Sequence, residues 1–185
     1  MSDTTARAPL GTPIVQPIHH SAAYAFDSLA EARAVFAQRA GGFTYARTGN
    51  PNVAALEAEI TRLEHGECAV ATASGQAALA LALLALTGPA EDAHAVVSSR
   101  IYGGSVDLLT DTLADTGLEV TFADPRNPQE WEDALRQGTR VFLLESIANP
   151  LTELPELETI AEIAHRHGAV VIVDNTVATP HLLSL

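Results

Sequence analysis

The stretch that most constrains the fold lies near the end of the chain, at residues 170–180, and has the sequence VVIVDNTVATP. Its first four residues are apolar and β-branched, which predicts a buried strand at the centre of a parallel sheet. The run ends at Asp174, and ligands of open parallel α/β sheets bind beyond the carboxyl ends of the strands. We therefore expect Asp174 at the floor of a ligand cleft, where a carboxylate needs a cation, a metal or a hydrogen-bond donor. A strand-end aspartate that caps the next segment is an equally weighted alternative.

The rest of the chain alternates between short apolar runs and amphipathic stretches. This alternation predicts an α/β fold with a mainly parallel sheet flanked by helices. The predicted strands are 68–72, 94–98, 118–122, 140–144 and 170–173. The predicted helices are 28–39, 52–65, one from about 77, one ending near 113, 129–136 and 154–167.

Two segments near the start have no such periodicity. Residues 1–26 contain three prolines and are expected to form an extended arm lying on another surface. Residues 41–51 form a glycine-rich loop in which Tyr45 and Arg47 are two positions apart, so that in an extended loop both point to one side. A phenol and a guanidinium placed in this way suit a phosphate group, although for this segment taken alone an ordinary polar loop is the preferred interpretation.

Further candidate ligand contacts follow two predicted strands. The turn Ala73-Ser74-Gly75-Gln76 joins a strand to a helix, a junction whose free N–H groups and helix dipole favour anions. Tyr102 follows the strand 94–98 and precedes two glycines, so its ring either faces the same cleft or packs in a turn. His165 and His167 are interpreted as helix-terminating residues, and no metal site is expected.

Composition excludes several functional classes. The 185 residues carry a formal charge of -13, which argues against binding to nucleic acids or anionic membranes. The single cysteine, Cys68, fits a reducing cytoplasm and is expected to be buried. No stretch is long and apolar enough for a membrane span, so a cytoplasmic location is expected. All ten basic residues are Arg, and the sequence contains no Lys.

Five motifs, taken together, resemble a known family. They are YARTGNPN, ASGQAAL, YGGS, ESIANP and VDNTVATP, and they occur in the order and spacing of the Cys/Met-metabolism enzymes that use pyridoxal phosphate (PLP). The resemblance is to the N-terminal half of these enzymes, which include cystathionine γ-synthase, cystathionine lyases, O-acetylhomoserine sulfhydrylase and methionine γ-lyase. It implies an incomplete PLP-dependent transferase-like (fold type I) large domain with an extended N-terminal arm. Residues 1–60 would contact a neighbouring subunit, and residues 61–185 would form part of the PLP-binding domain.

The resemblance also implies roles for individual residues. Asp174 would face the pyridine nitrogen of PLP, and Tyr102 would stack on the ring, which makes these two the catalytic candidates. Asn149 would lie near the phenolic oxygen, and Thr176 is placed at the cofactor with them. The N–H groups of Gly75 and Gln76 would bind the phosphate. Tyr45 and Arg47 would reach the phosphate held by a neighbouring subunit, so that copies of the chain associate through the N-terminal arm and loop.

The lysine that holds PLP as a Schiff base lies, in the family, beyond the region that this chain resembles. Without Lys, this chain is expected to bind PLP only non-covalently. One hypothesis is a split enzyme that acts on an amino-acid substrate and is completed by a second polypeptide carrying the lysine and the C-terminal half. A non-catalytic remnant or regulatory module, and a truncated product, are the alternatives.

The sequence leaves the sulfur chemistry open between elimination and replacement. Gly104 occupies a position where a lyase specialised for methionine would carry Cys, which disfavours that activity. Asn149 and Pro150 end a strand at the cleft, where related pyridoxal enzymes often have a cis bond. The resemblance therefore implies a cis bond here, which an X–Pro pair tolerates at a small cost.

Overall fold

The computed structural model describes residues 14–88 and 92–184, which form two compact units. The first unit extends to Ala71 and the second begins at Thr72. The functional division predicted from sequence, with a boundary after residue 60, concerns contacts with a neighbouring subunit and stays a prediction.

Two helices and an arm make up the first unit. Helix α1 spans Leu29–Phe36, and its N-cap Ser28 accepts a hydrogen bond from the N–H of Glu31. Helix α2 spans Pro51–Leu63, and its N-cap is Asn50. Proline at the first position of α2 is favourable there because its missing N–H would have no intrahelical partner.

The arm contains no helix or extended strand over residues 14–26, as predicted, and its residues 1–13 lie outside the described part. Side chains from the start of α2 hold it. The side-chain amide of Asn52 accepts from the N–H of His19 (2.7 Å) and donates to the carbonyl of Pro17 (2.8 Å). Asn50 donates to the carbonyl of His19 (3.1 Å). The two asparagines thereby satisfy polar backbone groups of a segment that has no ladder of its own.

The second unit is built on a parallel four-stranded sheet in the order β2-β1-β3-β4. The strands are β1 His94–Ser98, β2 Glu119–Ala123, β3 Thr139–Glu145 and β4 Val170–Asp174. Each pairing between neighbours is parallel, so all four carboxyl ends lie along one edge of the sheet. These four strands match the predicted ones to within one or two residues at each end.

Helices cover both faces of the sheet. Helices α3 and α4 and the turns that follow α4 contribute to a core with Ala95, Val97, Val141 and Leu143. On the opposite face, α5 and α6 pack against Val96, Phe142 and Leu144. The helices are α3 Gly75–Thr87, α4 Gly103–Asp107, α5 Pro128–Asp133, α6 Leu157–Arg166 and α7 Thr179–Leu182. A π-helical turn, Leu108–Thr112, and a 3-10 turn, Ala114–Thr116, extend α4. The described residues contain no helix both long and apolar enough to cross a bilayer.

Two sequence predictions about residues 68–72 are wrong. No strand forms there, because this run pairs with no other segment among the described residues and Val70 is 77 % exposed. Cys68 is also exposed, although its position before an apolar run suggested a buried thiol. Local composition favoured a strand, but a strand requires a neighbour to receive its backbone hydrogen bonds.

The predicted central position of β4 is also wrong for the described residues. Strands β1 and β3 occupy the centre, whereas β4 pairs on one side only, with β3. Its residues are accordingly half-buried or exposed, while those of β1 are all buried. An apolar β-branched run favours a strand covered on both faces, but it does not fix how many strands flank it.

Candidate functional site

A cleft of about 330 Å³ opens where β3 and β4 end and α3 begins. Its volume lies at the lower end of the range for small-molecule pockets, roughly 300–1,000 Å³. We call it the strand-end cleft, and its lining consists of Ser74, Gly75, Gln76, Tyr102, Glu145, Ile147, Asn149, Asp174, Thr176 and Val177. The predicted residues Gly75, Gln76, Tyr102, Asn149, Asp174 and Thr176 are therefore brought together in one place.

Asp174 is the last residue of β4 and lines the cleft. Its Oδ1 accepts hydrogen bonds from the backbone N–H of Thr176 (3.0 Å) and from the Thr176 hydroxyl. Within the described residues, no donor reaches Oδ2. The carboxylate thus caps the following turn with one oxygen and leaves the other for a ligand, so both interpretations of the sequence describe part of its role.

The start of α3 also lines the strand-end cleft. Helix α3 begins at Gly75, two residues earlier than predicted, and the Ser74 hydroxyl caps it by accepting from the N–H of Ala77 (3.1 Å). Gly75 and Gln76 occupy the first helical turn, and their N–H groups have no acceptor among the described residues. Free donors at the positive end of a helix of 13 residues favour an anionic ligand.

Tyr102 precedes α4, and 49 % of its surface is exposed. Its backbone carbonyl accepts from the N–H groups of Ser105 (2.9 Å) and Val106 (3.2 Å), which fixes the turn into α4. A Cβ added to Gly104 would lie 2.5 Å from Cε1 of the Tyr102 ring. The absence of a side chain at position 104 therefore leaves the space that this aromatic ring occupies.

Sequence reasoning did not select Glu145, which ends β3 and is 8 % exposed. Its Oε1 accepts from the N–H of Tyr102 and its Oε2 from the N–H of Asn149, each at 2.8 Å. Glu145 pairs in register with Asp174 across β3 and β4, so both side chains lie on the face of the sheet that α3 covers. The sequence contains a pattern that could have identified Glu145, since an acid ends an apolar strand at this position just as at Asp174.

Asn149 follows β3, and its peptide bond to Pro150 is cis, which confirms the prediction. The loop after this bond folds back on itself, because the N–H of Ala148 donates to the carbonyl of Glu153 (3.0 Å) and the N–H of Thr152 donates to the carbonyl of Ala148 (2.7 Å). The loop therefore holds Asn149 at the wall of the strand-end cleft.

No Arg or His lies within ion-pair distance of Glu145 or Asp174 in the described ranges. The guanidinium of Arg126 binds Glu153 (3.1 Å) and Asp124 (3.0 Å), and its hydrogen bond lowers the pKa of Asp124 to about 2. Two carboxylates without a protein cation leave the floor of the cleft negatively charged when both are ionised, which favours a ligand carrying positive charge at that point.

Tyr45 and Arg47 belong to the first unit. The guanidinium carbon of Arg47 lies 4.9 Å from the centroid of the Tyr45 ring. The segment is a turn rather than the extended loop expected, since the N–H groups of Thr48 and Gly49 both donate to the carbonyl of Tyr45. Both side chains are exposed, and Arg47 makes no ion pair among the described residues.

Comparison with known proteins identifies the family. A model of the Cys/Met metabolism PLP-dependent enzymes matches residues 5–184. The chain is 42 % identical over 168 residues to an O-acetyl-L-homoserine sulfhydrylase of Corynebacterium glutamicum, covering 90 % of this chain and 38 % of the relative. It is 38 % identical over 170 residues to an L-methionine gamma-lyase of Fusobacterium nucleatum, covering 91 % of this chain and 42 % of the relative.

Solved structures agree with this assignment. A protein assigned as an O-acetylhomoserine (thiol)-lyase from Campylobacter jejuni, whose structure contains a pyridoxyl-lysine monophosphate, superposes with a TM-score of 0.81 and 33 % identity. The match covers 93 % of this chain and 42 % of the other. The chain belongs to the Cys/Met metabolism PLP-dependent enzyme family, has part of a fold type I domain, and spans about two fifths of the length of these relatives.

Proposed function

We propose that this member of the Cys/Met metabolism family forms the lysine-free part of a PLP-dependent enzyme of sulfur amino-acid metabolism. A second polypeptide supplies the Schiff-base lysine and completes the site. The absence of Lys from all 185 residues supports this division, because a covalent link to PLP requires a side-chain amine.

The observation that carries the proposal is the hydrogen bonding of the Asp174 carboxylate. One of its carboxylate oxygens is held by Thr176, and the other has no partner among the described residues at the floor of the strand-end cleft. A protonated pyridine nitrogen presents one N–H donor and a positive charge, which is what this oxygen lacks. The neighbouring carboxylate of Glu145 has no cation beside it among the residues at 14–88 and 92–184 either, and it adds to the preference for a positively charged ring nitrogen.

The remaining lining fits the other parts of PLP. The free N–H groups of Gly75 and Gln76 are suited to a phosphate, and the Tyr102 phenol ring to one face of a flat heterocycle. The Asn149 side chain can donate a hydrogen bond to a phenolate oxygen. When bound, PLP supplies an electron-accepting ring that stabilises negative charge developing next to the amino group of the substrate.

The chain's own residues orient the ring and retain one proton. Asp174 keeps the proton on the ring nitrogen, and Thr176 fixes the orientation of that carboxylate through two hydrogen bonds. Tyr102 covers one face of the ring and excludes water from it. The proton transfers at the substrate carbon belong to the lysine of the second polypeptide.

We also propose that two copies of the chain associate through the arm and the loop that carries Tyr45 and Arg47. The exposed guanidinium of Arg47 is stacked on the Tyr45 ring and has no ion pair with any residue that the structure describes, which makes it a suitable donor for a phosphate in another copy. In this arrangement each PLP phosphate contacts donors from two copies.

The proposed substrate class is an O-acylated homoserine that reacts with sulfide. The Corynebacterium sulfhydrylase is 42 % identical to this chain, and the missing side chain at Gly104 disfavours the methionine-cleaving alternative. The reaction with sulfide and the cleavage of methionine use the same PLP contacts. In this proposal, the part of the substrate pocket that the second polypeptide contributes also helps to decide between the two reactions.

The test is to express this chain together with the second polypeptide, add PLP and reduce with borohydride. Mass spectrometry should place the pyridoxyl group on a lysine of the second polypeptide, and on this chain at most at its α-amino group. The assembly should form homocysteine from O-acetylhomoserine and sulfide. Asp174→Asn should abolish most of this activity, whereas Asp115→Asn, an exposed residue in the 3-10 turn, should leave it unchanged.

An assembly that neither binds PLP nor turns over any sulfur amino acid would contradict the proposal and support a non-catalytic remnant. Reduction of PLP onto a side chain of residues 1–185 would contradict the assignment of the lysine. Near-normal turnover by Asp174→Asn would contradict the role of Asp174.

A further inference from the structure

We infer that Glu145 is a positioning residue that fixes Tyr102 and Asn149, which both line the strand-end cleft. Its carboxylate accepts one backbone N–H from each of the two loops that carry these residues. The identity of the bound group rests on the function proposed above, whereas the two hydrogen bonds do not.

The geometry of Glu145 is that of a bidentate acceptor. The N–H of Tyr102, 43 positions earlier in the chain, lies 2.8 Å from Oε1, and the N–H of Asn149, four positions later, lies 2.8 Å from Oε2. Each loop carries one of the side chains assigned to PLP. One carboxylate therefore sets the distance between the residue that stacks on the ring and the residue assigned to its phenolic oxygen.

Because Glu145 is buried, its carboxylate depends on both of these hydrogen bonds. Glu145 is 8 % exposed and has no cation within ion-pair distance in the described ranges, so the two N–H groups provide much of what solvates its charge. Hydrogen bonds from backbone N–H to a carboxylate are stronger than those between neutral groups. Movement of either loop would leave a buried charge poorly solvated, so Glu145 restrains both loops.

Glutamine has the same shape but cannot make both bonds. Its carbonyl oxygen accepts from one N–H, while its amide NH₂ presents hydrogens to the other N–H and repels it. Glu145→Gln should therefore release at least one loop while preserving volume. Glu145→Ala should release both.

The matched control is Glu130, which also accepts a backbone N–H with a carboxylate. Its Oε2 receives the N–H of Asp124 (2.9 Å) at the start of α5, and Glu130 does not line the strand-end cleft. Glu130→Gln makes the same chemical change at a carboxylate elsewhere in the second unit, whose other partner is the side-chain amide of Asn127.

The first measurement is amide hydrogen exchange resolved to single residues, made on the assembled protein without PLP. In Glu145→Gln, the N–H of Tyr102 or Asn149 should exchange roughly tenfold or more faster, and in Glu145→Ala both should do so. The amides of the central strands β1 and β3 should keep their protection, because the change is local. Glu130→Gln should leave exchange at Tyr102 and Asn149 unchanged.

The second measurement is the circular dichroism of bound PLP in its visible absorption band, together with the PLP dissociation constant. The band arises from the fixed orientation of the ring, so Glu145→Gln should reduce its amplitude and weaken PLP binding about tenfold. Glu130→Gln should match the unaltered protein in both quantities.

Unchanged exchange at both amides in Glu145→Gln and Glu145→Ala would overturn the inference. Faster exchange with an unchanged dichroism band and PLP affinity would also overturn the positioning role, while leaving the proposed function intact. Failure of the unaltered assembly to bind PLP would refute the proposed function, and the positioning role with it. If Glu145→Ala does not fold, the Gln variant decides the outcome.

Discussion

His94 provides a quantitative test of how the sheet of the second unit is held together. This histidine begins β1, is fully buried, and lies between its two neighbouring strands. Its Nδ1 lies 2.8 Å from the hydroxyl of Thr139 on β3, and its Nε2 lies 2.9 Å from the hydroxyl of Thr121 on β2. Burial, followed by the charge of Arg136, lowers the pKa of His94 from 6.5 to about 4, with the charge of Glu119 acting in the opposite direction.

The sign of the effect follows from proton linkage. Because the pKa is lower in the folded state, the unfolded chain binds the proton more tightly, and acid favours unfolding. The stability due to neutral His94 is fully present above pH 6.5 and is lost as the pH falls towards 4. With these two values, linkage gives a loss of about 2 kcal/mol between about pH 7 and pH 5.

Urea unfolding measured through the fluorescence of Trp131 is the appropriate assay. Trp131 is the single tryptophan of the sequence and is fully buried. The centroid of its ring lies 5.1 Å from that of Phe142 on β3. The comparison is between the unaltered protein and His94→Gln, since other titrating groups contribute equally to both. The unaltered protein should lose about 2 kcal/mol more than the variant over this pH range. His165→Gln, at an exposed position in the last turn of α6, should behave like the unaltered protein.

Equal pH dependence in the unaltered protein and His94→Gln would refute the reasoning. It would mean that the imidazole is protonated in the folded state at a pH close to its ordinary pKa, and hence that burial between the strands does not exclude the charged form.

Two glycines give further predictions. At Gly138 a Cβ would lie 2.1 Å from the carbonyl oxygen of Asp92 with φ at +93°, so Gly138→Ala should destabilise the fold by about 3 kcal/mol or more in urea unfolding. Gly117→Ala is the control, since φ is +83° but no atom lies within 4 Å of the new Cβ, and it should cost only about 1 kcal/mol; equal costs would contradict the steric argument. Gly104→Ala should displace the half-exposed Tyr102 ring and change the dichroism of bound PLP with little loss of stability, and an unchanged band would show that the ring does not contact PLP.

The sequence predicted the strands of the second unit well because their burial is recorded locally. The run at residues 94–98 is buried throughout, and apolar composition alone was sufficient to identify it. Residues 68–72 have a similar composition but form no strand, because pairing depends on distant segments that no local pattern encodes. The order of the strands, and hence the edge position of β4, is fixed by the same non-local pairing.

The candidate site was predicted through motifs rather than through geometry. Asp174 and Tyr102 were selected because they lie at or just past the end of an apolar run, and Asn149 was selected through the family resemblance. The fold brings all three to the strand-end cleft. Glu145 also ends an apolar strand, but it was missed because its partners are backbone N–H groups, one of them 43 positions away. Almost any residue type can supply a backbone N–H, so no sequence pattern reveals such a partner. The stacking of Arg47 on Tyr45 arises from a turn, which the spacing of two residues did not reveal.

The central claim is that Asp174 holds a protonated pyridine nitrogen, and nuclear magnetic resonance of PLP with an isotopically labelled ring nitrogen tests it most directly. The measurement is made on the assembled protein at neutral pH, with Asp174→Asn and the control Asp115→Asn. The ring nitrogen should have the chemical shift of a protonated pyridine in the unaltered protein and in Asp115→Asn, and that of a neutral pyridine in Asp174→Asn. A neutral ring nitrogen in the unaltered protein, or a protonated one in Asp174→Asn, would contradict the account.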